Sequence, residues 1–170
     1  VVLASTWNTD LAYEKGVITG NEALWAKIVG WYAPAVNIHR SPFSGRNFEY
    51  YSEDGYLTGM MSAYVIRGAQ SKGVYCYVKH FGVNDQESNR CGLLTWLNEQ
   101  SMREIYIKGF ELCVKVGETR AMMSSLNRIG YEWAGGCYNL LTEILRNEWG
   151  FNGNVVTDSY SGAWGPADWM

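Results

Sequence analysis

The chain has 170 residues, enough for one compact domain with a sizeable core. Hydrophobic residues make up 47% and charged residues 18%, a composition that is typical of globular proteins and excludes a disordered chain. The net charge of −3 includes no basic stripe, and no apolar run approaches the roughly 20 residues that cross a bilayer. We therefore expect neither nucleic acid nor a membrane as a partner.

The first half of the chain alternates short apolar runs with helical patterns, which are told apart by length and by the spacing of apolar residues. In chain order, the sequence predicts a strand over 1–4, a helix over 9–29, a strand over 33–38, a polar loop over 39–54 and a helix over 56–70. Asn8 or Thr9 is the expected N-cap of the first helix, because both side chains can accept a hydrogen bond from the free N–H groups of the first turn.

The second half continues the alternation. In chain order, the sequence predicts a strand over 74–78, a polar loop over 80–94, an amphipathic helix over 96–115, a strand over 121–125, a loop over 127–136, a helix over 138–149 and a strand over 155–157. Such alternation implies parallel strands joined by right-handed helical crossovers, as in a β/α barrel or a doubly wound sheet. No glycine-rich phosphate loop follows a strand, which disfavours a nucleotide-binding domain.

The four cysteines do not form a metal-binding pattern. None of them lies in a C-x-x-C pair or beside a histidine at the spacing of metal ligands. Cys76 lies within an apolar strand run and is predicted to be a small core residue. We expect no metal and no cofactor.

Polar side chains follow four of the predicted strands, at the point where each strand ends. They are Arg40 and Arg46, then Lys79 and His80, then Ser124, Ser125 and Asn127, and finally Asp158. In a β/α barrel the active site is built at the carboxyl ends of the strands. This placement in four separate segments predicts a functional site at that end of the sheet.

Asp158 and its expected neighbours each have a second interpretation. Asp158 could cap the next helix, or it could be a nucleophile that nearby positive charge from Arg46, Lys79 and His80 keeps ionised. Lys79 and His80 could be an ordinary surface lysine and a structurally bonded histidine.

The loops that flank these residues also have two interpretations. Arg46 could form a salt bridge within its own loop, with Glu49, Glu53 or Asp54. The loop 81–90 is dense in hydrogen-bonding groups and could bind substrate, although for each of its residues we favour bonding within the loop itself.

Five ordered motifs give the chain a resemblance to glycoside hydrolase family 3. They are Gly45-Arg46-Asn47-Phe48-Glu49 with Ser52-Glu53-Asp54; Lys79-His80-Phe81 with Asn84, Gln86-Glu87 and Arg90; Met123-Ser124-Ser125 with Asn127-Arg128; Glu148-Trp149-Gly150-Phe151; and Gly153 leading to Thr157-Asp158. The resemblance implies an α/β fold, a partial (β/α) TIM-type barrel with parallel strands. We expect residues 1–170 to be an incomplete N-terminal catalytic barrel domain, truncated at both ends.

The resemblance also implies an activity and residue roles. Asp158 matches the family's nucleophile, which forms a covalent glycosyl-enzyme, and Arg46, Lys79 and His80 match residues that bind hydroxyls of the sugar at the cleavage subsite. The implied activity is hydrolysis of terminal non-reducing β-D-glycosidic bonds with retention of configuration. The implied substrate is a β-glucoside or an oligosaccharide.

One branch of the family takes its acid/base histidine from a Lys-His-Phe-Pro-Gly-His-Gly pattern and cleaves N-acetylglucosaminides. This chain reads Lys79-His80-Phe81-Gly82-Val83-Asn84 and contains no second histidine there, so it resembles the β-glucosidase-type branch. In that branch the acid/base is a glutamate of a following α/β sandwich domain. The remainder of its own polypeptide is therefore an expected partner.

The chain departs from the family pattern at two positions. Leu126 stands where a tyrosine usually hydrogen-bonds the nucleophile, and Ser159 follows Asp158 where a tryptophan is common. The leucine leaves open a non-catalytic or degenerate carbohydrate-binding barrel. Phosphorolysis in place of hydrolysis is a third possibility within the family.

Overall fold

The computed structural model describes residues 1–158, and the following account concerns that part of the chain. The helices are α1 (Thr9–Trp25), α2 (Gly55–Gln70), α3 (Glu99–Ser101) and α4 (Lys108–Lys115), with π-helical segments at Met102–Tyr106 and Asn139–Glu148 and a 3-10 turn at Ala4–Thr6. The strands are β1 (Gly30–Trp31), β2 (Tyr75–Phe81), β3 (Leu94–Thr95), β4 (Ala121–Ser124), β5 (Arg128–Ile129), β6 (Glu132–Trp133) and β7 (Asn154–Val156).

The main sheet has four parallel strands in the order β1-β2-β4-β7. Each strand therefore lies beside the next strand of the sheet along the chain, with helical segments in the connections. A doubly wound sheet reverses its strand order at a switch point, whereas a β/α barrel does not. The described strands follow the barrel order, as the family resemblance implies.

The sequence prediction is wrong for residues 1–4, which form no strand. The segment enters the 3-10 turn Ala4–Thr6, and Val2 is 84% exposed. A short apolar run contains no periodicity that distinguishes a strand from a turn, so its length and composition were misleading.

The run 33–38 also differs from its prediction as a strand. It contributes one isolated bridge, between Ala35 and Lys79, while the regular strand β1 lies just before it. Pro34 has no N–H group to donate to a neighbouring strand, so a regular ladder cannot continue through it. Val36 restores the contact by donating its N–H to the Lys79 carbonyl at 2.8 Å.

The predicted loop 127–136 contains two strands of a small second sheet. The strands β5 and β6 pair antiparallel, and β3 adds to β5 in parallel. Gly130, at a φ of +58°, lies in the turn of this hairpin. Strands of two residues are too short to show an alternating pattern, which explains why the sequence predicted a loop.

The helices α1, α2 and α3 begin at side-chain caps. Asn8 caps α1 by accepting from the N–H groups of Asp10 and Leu11 at 2.9 and 3.1 Å, which confirms it as the N-cap. The predicted helix 96–115 begins only at Glu99, because Asn98 caps it through the N–H of Ser101. Within the described part of the chain, no helix combines the length and the apolar character needed to cross a bilayer.

The core lies between the outer face of the sheet and the helices. Its fully buried members include Ile66 of α2, Cys76, Val78 and Phe81 of β2, Phe110 of α4, and Met122 of β4. The place of Cys76 in the core confirms the prediction made for it, and all four cysteines are free thiols.

The helices α1 and α2 approach closely where two glycines face each other. A Cβ atom on Gly16 would lie 2.1 Å from the Val65 carbonyl oxygen, and one on Gly68 would lie 2.2 Å from the Tyr13 carbonyl oxygen. Both distances are far below van der Waals contact. The helix pair therefore depends on the absence of side chains at these two positions.

Candidate active site

A pocket opens at the carboxyl ends of the main-sheet strands. Its lining residues are Tyr32, Arg46, Lys79, His80, Glu87, Arg90, Met123 and Asp158. The structure thus brings together all four residues that the sequence singled out as catalytic or sugar-binding. They come from three separate segments: the loop before α2, the end of β2 and the residue pair after β7.

The backbone at the end of β2 is held from both sides. Asn37 donates its side-chain amide to the His80 carbonyl at 3.1 Å and accepts the His80 N–H at 2.8 Å. On the other side, Asn127 donates to the Gly82 carbonyl at 2.8 Å. Both asparagines are fully buried. These bonds fix the direction in which Lys79 and His80 leave the strand.

His80 is neutral in the folded protein. Burial, together with the positive charges of Arg46, Lys79 and Arg90, lowers its pKa to about 2. Its Nε2 atom accepts a hydrogen bond from Arg46 Nη2 at 2.9 Å. Asp158 Oδ2 lies 3.8 Å from the same nitrogen, which is too long for a hydrogen bond and, with a neutral ring, is not an ion pair. The expectation that His80 adds positive charge beside Asp158 is therefore wrong.

Arg46 and Lys79 share one carboxylate. Arg46 Nε donates to Glu49 Oε1, and Lys79 Nζ lies 3.3 Å from Glu49 Oε2. The salt bridge within the loop, which the sequence offered as an alternative role for Arg46, is therefore present with Glu49. It coexists with the position of Arg46 in the pocket. Asp54 has a different task, since it caps α2 through the N–H of Leu57.

Glu87 connects the loop after β2 to the same network. It accepts from Asn84 at 3.2 Å and from Arg90 at 3.1 Å, and it lies 3.8 Å from Arg46 Nη1. The loop therefore satisfies many of its own polar groups, as the sequence interpretation favoured. Glu87 and Arg90 nevertheless also line the pocket, so the two interpretations of this loop do not exclude each other.

Sequence reasoning missed Tyr32 and Met123 as pocket residues. Tyr32 follows β1, is 58% exposed and packs edge-on against Tyr77 with 5.2 Å between ring centroids. Met123 lies near the end of β4. Position gave no signal for Tyr32, because it precedes the predicted strand 33–38, and Met123 is an apolar residue inside the predicted strand 121–125.

The other polar residues predicted at the strand ends do not line this pocket. Arg40 reaches Gln86 at 3.4 Å on another surface, while Ser124 and Ser125 are buried. Ser125 donates to the Gly82 carbonyl at 3.0 Å and so supports the loop backbone. Leu126 is also buried and lies outside the pocket lining, and Ser159 lies outside the described residues.

Among the described residues, no group of three or more histidine, cysteine, aspartate or glutamate side chains could hold a metal ion. The charged groups of the pocket instead pair with one another. Arg46, Lys79 and Arg90 provide the positive charge, and Glu49, Glu87 and Asp158 balance it. The arrangement can therefore donate several hydrogen bonds without carrying a large net charge.

Comparisons with known proteins identify relatives of this chain. The sequence is 48% identical to β-glucosidase A of Butyrivibrio fibrisolvens over 157 residues, which is 92% of this chain and 19% of that protein. It is 41% identical to an exo-α-(1→6)-L-arabinopyranosidase of Bifidobacterium breve over 92% of this chain and 21% of that protein. The chain thus spans about one fifth of the length of these relatives.

A solved structure shows the same fold. The structure of β-glucosidase 3B from Thermotoga neapolitana in complex with glucose superimposes with a TM-score of 0.93 at 44% identity, over 96% of this chain and 23% of that one. The sequence model of the Glycosyl hydrolase family 3 N terminal domain matches residues 1–164. With the barrel-ordered strands and the pocket at their carboxyl ends, these matches show that the chain belongs to the N-terminal domain family of glycosyl hydrolase family 3.

Proposed function

We propose that this chain supplies the nucleophile and part of the sugar site of a retaining glycosidase that hydrolyses terminal non-reducing β-D-glycosidic bonds. One observation carries the proposal. Asp158, at the carboxyl end of β7, shares a pocket with Arg46, Lys79 and His80, and its Oδ2 atom lies 3.8 Å from His80 Nε2. A carboxylate beside fixed hydrogen-bond donors is what a sugar nucleophile needs.

The contacts of the other two acidic residues disfavour them as the nucleophile. Both oxygens of Glu49 face cations, one from Arg46 and one from Lys79. Both oxygens of Glu87 accept from side-chain donors, one from Asn84 and one from Arg90. A carboxylate whose two oxygens are engaged by donors is poorly placed to attack a carbon atom, so these two residues are better suited to holding the donors.

The donors of the pocket suit a neutral sugar. Lys79, Arg46 and Arg90 carry N–H groups that can donate to ring hydroxyls, and sugar oxygens can accept them without bringing charge. Because the acidic side chains already balance these cations, a phosphorylated or carboxylated sugar would not find an excess of positive charge. We therefore assign the site to an uncharged terminal residue.

In the proposed reaction, an Asp158 carboxylate oxygen attacks the anomeric carbon of the bound sugar. The bond from that carbon to the leaving oxygen breaks, and the leaving oxygen takes a proton from a general acid. A water molecule then attacks the anomeric carbon of the glycosyl ester while the same residue, now a base, removes its proton. The sugar leaves with retained configuration, and Asp158 is a carboxylate again.

The second carboxyl of this mechanism is proposed to come from the α/β sandwich domain of the same polypeptide. Retaining enzymes need the two carboxyl groups about 5 Å apart, and Glu49 and Glu87 are already engaged by donors. The length of the relatives, of which this chain spans about one fifth, supports further domains. We expect the 170-residue chain alone to turn over little or no substrate.

Two sugars deserve comparison in the assay. The relatives include proteins named for β-glucosides and for an α-(1→6)-L-arabinopyranoside. Nitrophenyl β-D-glucoside and nitrophenyl α-L-arabinopyranoside, measured side by side with the whole polypeptide, separate these substrates. Repeating the assay with added phosphate separates hydrolysis from phosphorolysis.

The decisive experiment traps the covalent intermediate. The whole polypeptide is incubated with 2-deoxy-2-fluoro-β-D-glucosyl fluoride, digested and examined by mass spectrometry. We expect the fluoroglucosyl mass on the peptide that contains Asp158, and none in an Asp158→Ala variant. A label on a peptide containing Glu49 or Glu87 would reassign the nucleophile, and an unlabelled, inactive whole polypeptide would favour a carbohydrate-binding barrel without catalysis.

A further inference from the structure

Asp85 is a buried carboxyl group that the proposed mechanism does not use. It is 5% exposed and lies in the loop after β2, close to the end of the strand that carries Lys79 and His80. Its Oδ1 atom accepts the N–H of Ile38 at 2.7 Å. Its Oδ2 atom is buried and has no hydrogen-bond partner among the residues that the structure describes.

The Ile38 contact leads directly to the sugar site. His39, the next residue, donates its N–H to the Ser52 carbonyl at 3.0 Å, and its ring Nε2 lies 3.0 Å from the Asn47 carbonyl oxygen. Asn47 is the neighbour of Arg46, whose Nη2 donates to His80. A shift of Ile38 would therefore be passed through His39 and its contact with Asn47 to the arginine in the pocket.

We propose that Asp85 is a positioning residue that holds the loop carrying Arg46 against the loop after β2 and so sets the affinity of the site for its sugar. The expected effect on KM rests on the proposed glycosidase function, whereas the contact between the two loops is independent of that function. The Asp85 side chain bonds Ile38, just before the first loop, to the second loop across 47 residues of sequence.

The charge of Asp85 is poorly accommodated in this position. Burial raises its pKa to about 7, against the opposing effects of the Ile38 N–H and of Arg40. The groups that face it are Arg40 and Tyr50 from the loop before α2, and Tyr106, which lines the same cavity from the π-helical segment. Above neutral pH the ionised carboxylate is better solvated when the loops separate, so the sugar site should loosen.

The kinetic test uses the whole polypeptide and three variants. For the wild type we expect the KM for nitrophenyl β-D-glucoside to rise about fivefold to tenfold between about pH 6 and pH 8.5, with a smaller change in kcat. Asp85→Asn keeps an oxygen for Ile38 but cannot ionise, so its KM should stay within about twofold of its own low-pH value. Asp85→Ala loses the contact and should raise KM about tenfold at every pH.

Asp10→Asn is the matched control, because Asp10 is an exposed residue in the first turn of α1. It should follow the wild-type pH profile. The proposal is wrong if Asp85→Asn shows the same rise in KM as the wild type, or if Asp85→Ala leaves KM unchanged. A purely structural role would lower the amount of folded enzyme without changing the pH dependence of KM.

Amide hydrogen exchange keeps the proposal testable if no glycoside is turned over. Ile38 donates to the Asp85 side chain, whereas the nearby Val36 donates to the Lys79 backbone at 2.8 Å. Asp85→Ala should speed exchange at Ile38 by about tenfold or more and leave Val36 protected. Equal protection of Ile38 in both proteins would overturn the positioning role, and an inactive polypeptide with the expected exchange pattern would refute only the glycosidase assignment.

Discussion

Replacing Asp85 by asparagine should raise the stability of the fold relative to the wild type as pH increases. In the folded chain its pKa is raised to about 7 from the ordinary value of 3.8, chiefly by burial. Between these two values the folded state binds more protons than the unfolded state, so the free energy of unfolding falls as pH rises. The loss of unfolding free energy caused by ionisation of Asp85 is absent below about pH 3.8, grows between pH 3.8 and about pH 7, and is constant above about pH 7.

The size of the effect follows from the two pKa values. Their difference corresponds to about 4 kcal/mol at roughly 1.4 kcal/mol per pKa unit, and this is the largest loss that ionisation of Asp85 can cause. The asparagine variant does not suffer this ionisation penalty, but it buries an extra N–H donor. That donor lowers the free energy of unfolding by about 1–3 kcal/mol at every pH. The difference between two pH values is therefore the informative quantity, because the cost of the extra donor cancels.

Urea unfolding of the 170-residue chain at pH 4.5 and pH 8, followed by circular dichroism, measures this difference. Relative to the wild type, Asp85→Asn should gain about 3 kcal/mol of unfolding free energy on going from the lower to the higher pH. Asp10→Asn should gain almost nothing, because Asp10 is exposed. Parallel stability curves for the wild type and Asp85→Asn would refute the claim that the buried carboxyl opposes ionisation.

Two further outcomes are expected. In the whole polypeptide, Glu49→Gln should raise KM about tenfold, whereas the control Glu53→Gln should leave KM unchanged. The reason is that each charge-assisted hydrogen bond from Glu49 to Arg46 or Lys79 contributes about 1.5–3 kcal/mol. An unchanged KM for Glu49→Gln in steady-state kinetics would contradict the role given to Glu49. Gly16→Ala should lower the free energy of unfolding of the 170-residue chain by about 1–3 kcal/mol or more, because the added methyl group clashes with Val65. Gly45→Ala is the control: it has open space around it and should lower the free energy of unfolding by less than about 1 kcal/mol in the same urea titration.

The sequence predicted the helices better than the shortest strands. The helix α2 begins one residue before its predicted start and ends where expected, because its apolar residues repeat at helical spacing over four turns. The strands β5 and β6 were missed because each has only two residues. Residues 1–4 were assigned to a strand because an apolar run was the only signal available.

For the site, the local order of residues was enough to predict which segments meet. Parallel strands end at one edge of the sheet, so the polar residues after β2 and β7 had to lie near each other. The same logic could not reveal Tyr32, because an exposed aromatic residue at a strand end has no distinctive sequence signal. The family resemblance supplied the roles proposed for Asp158, Arg46, Lys79 and His80, and these roles remain predictions.

The sequence by itself determined the alternation of strands and helices and the edge of the sheet at which several polar residues collect, whereas the barrel order of the main sheet was implied by the family resemblance. The first two features follow from apolar periodicity and from chain order, which are local properties. Only the tertiary structure decided that His80 is neutral, that Glu49 holds two cations and that Asp85 joins two loops through Ile38. Each of these depends on burial and on atoms from distant parts of the chain that lie within a few ångströms, and neither quantity can be read from residue order.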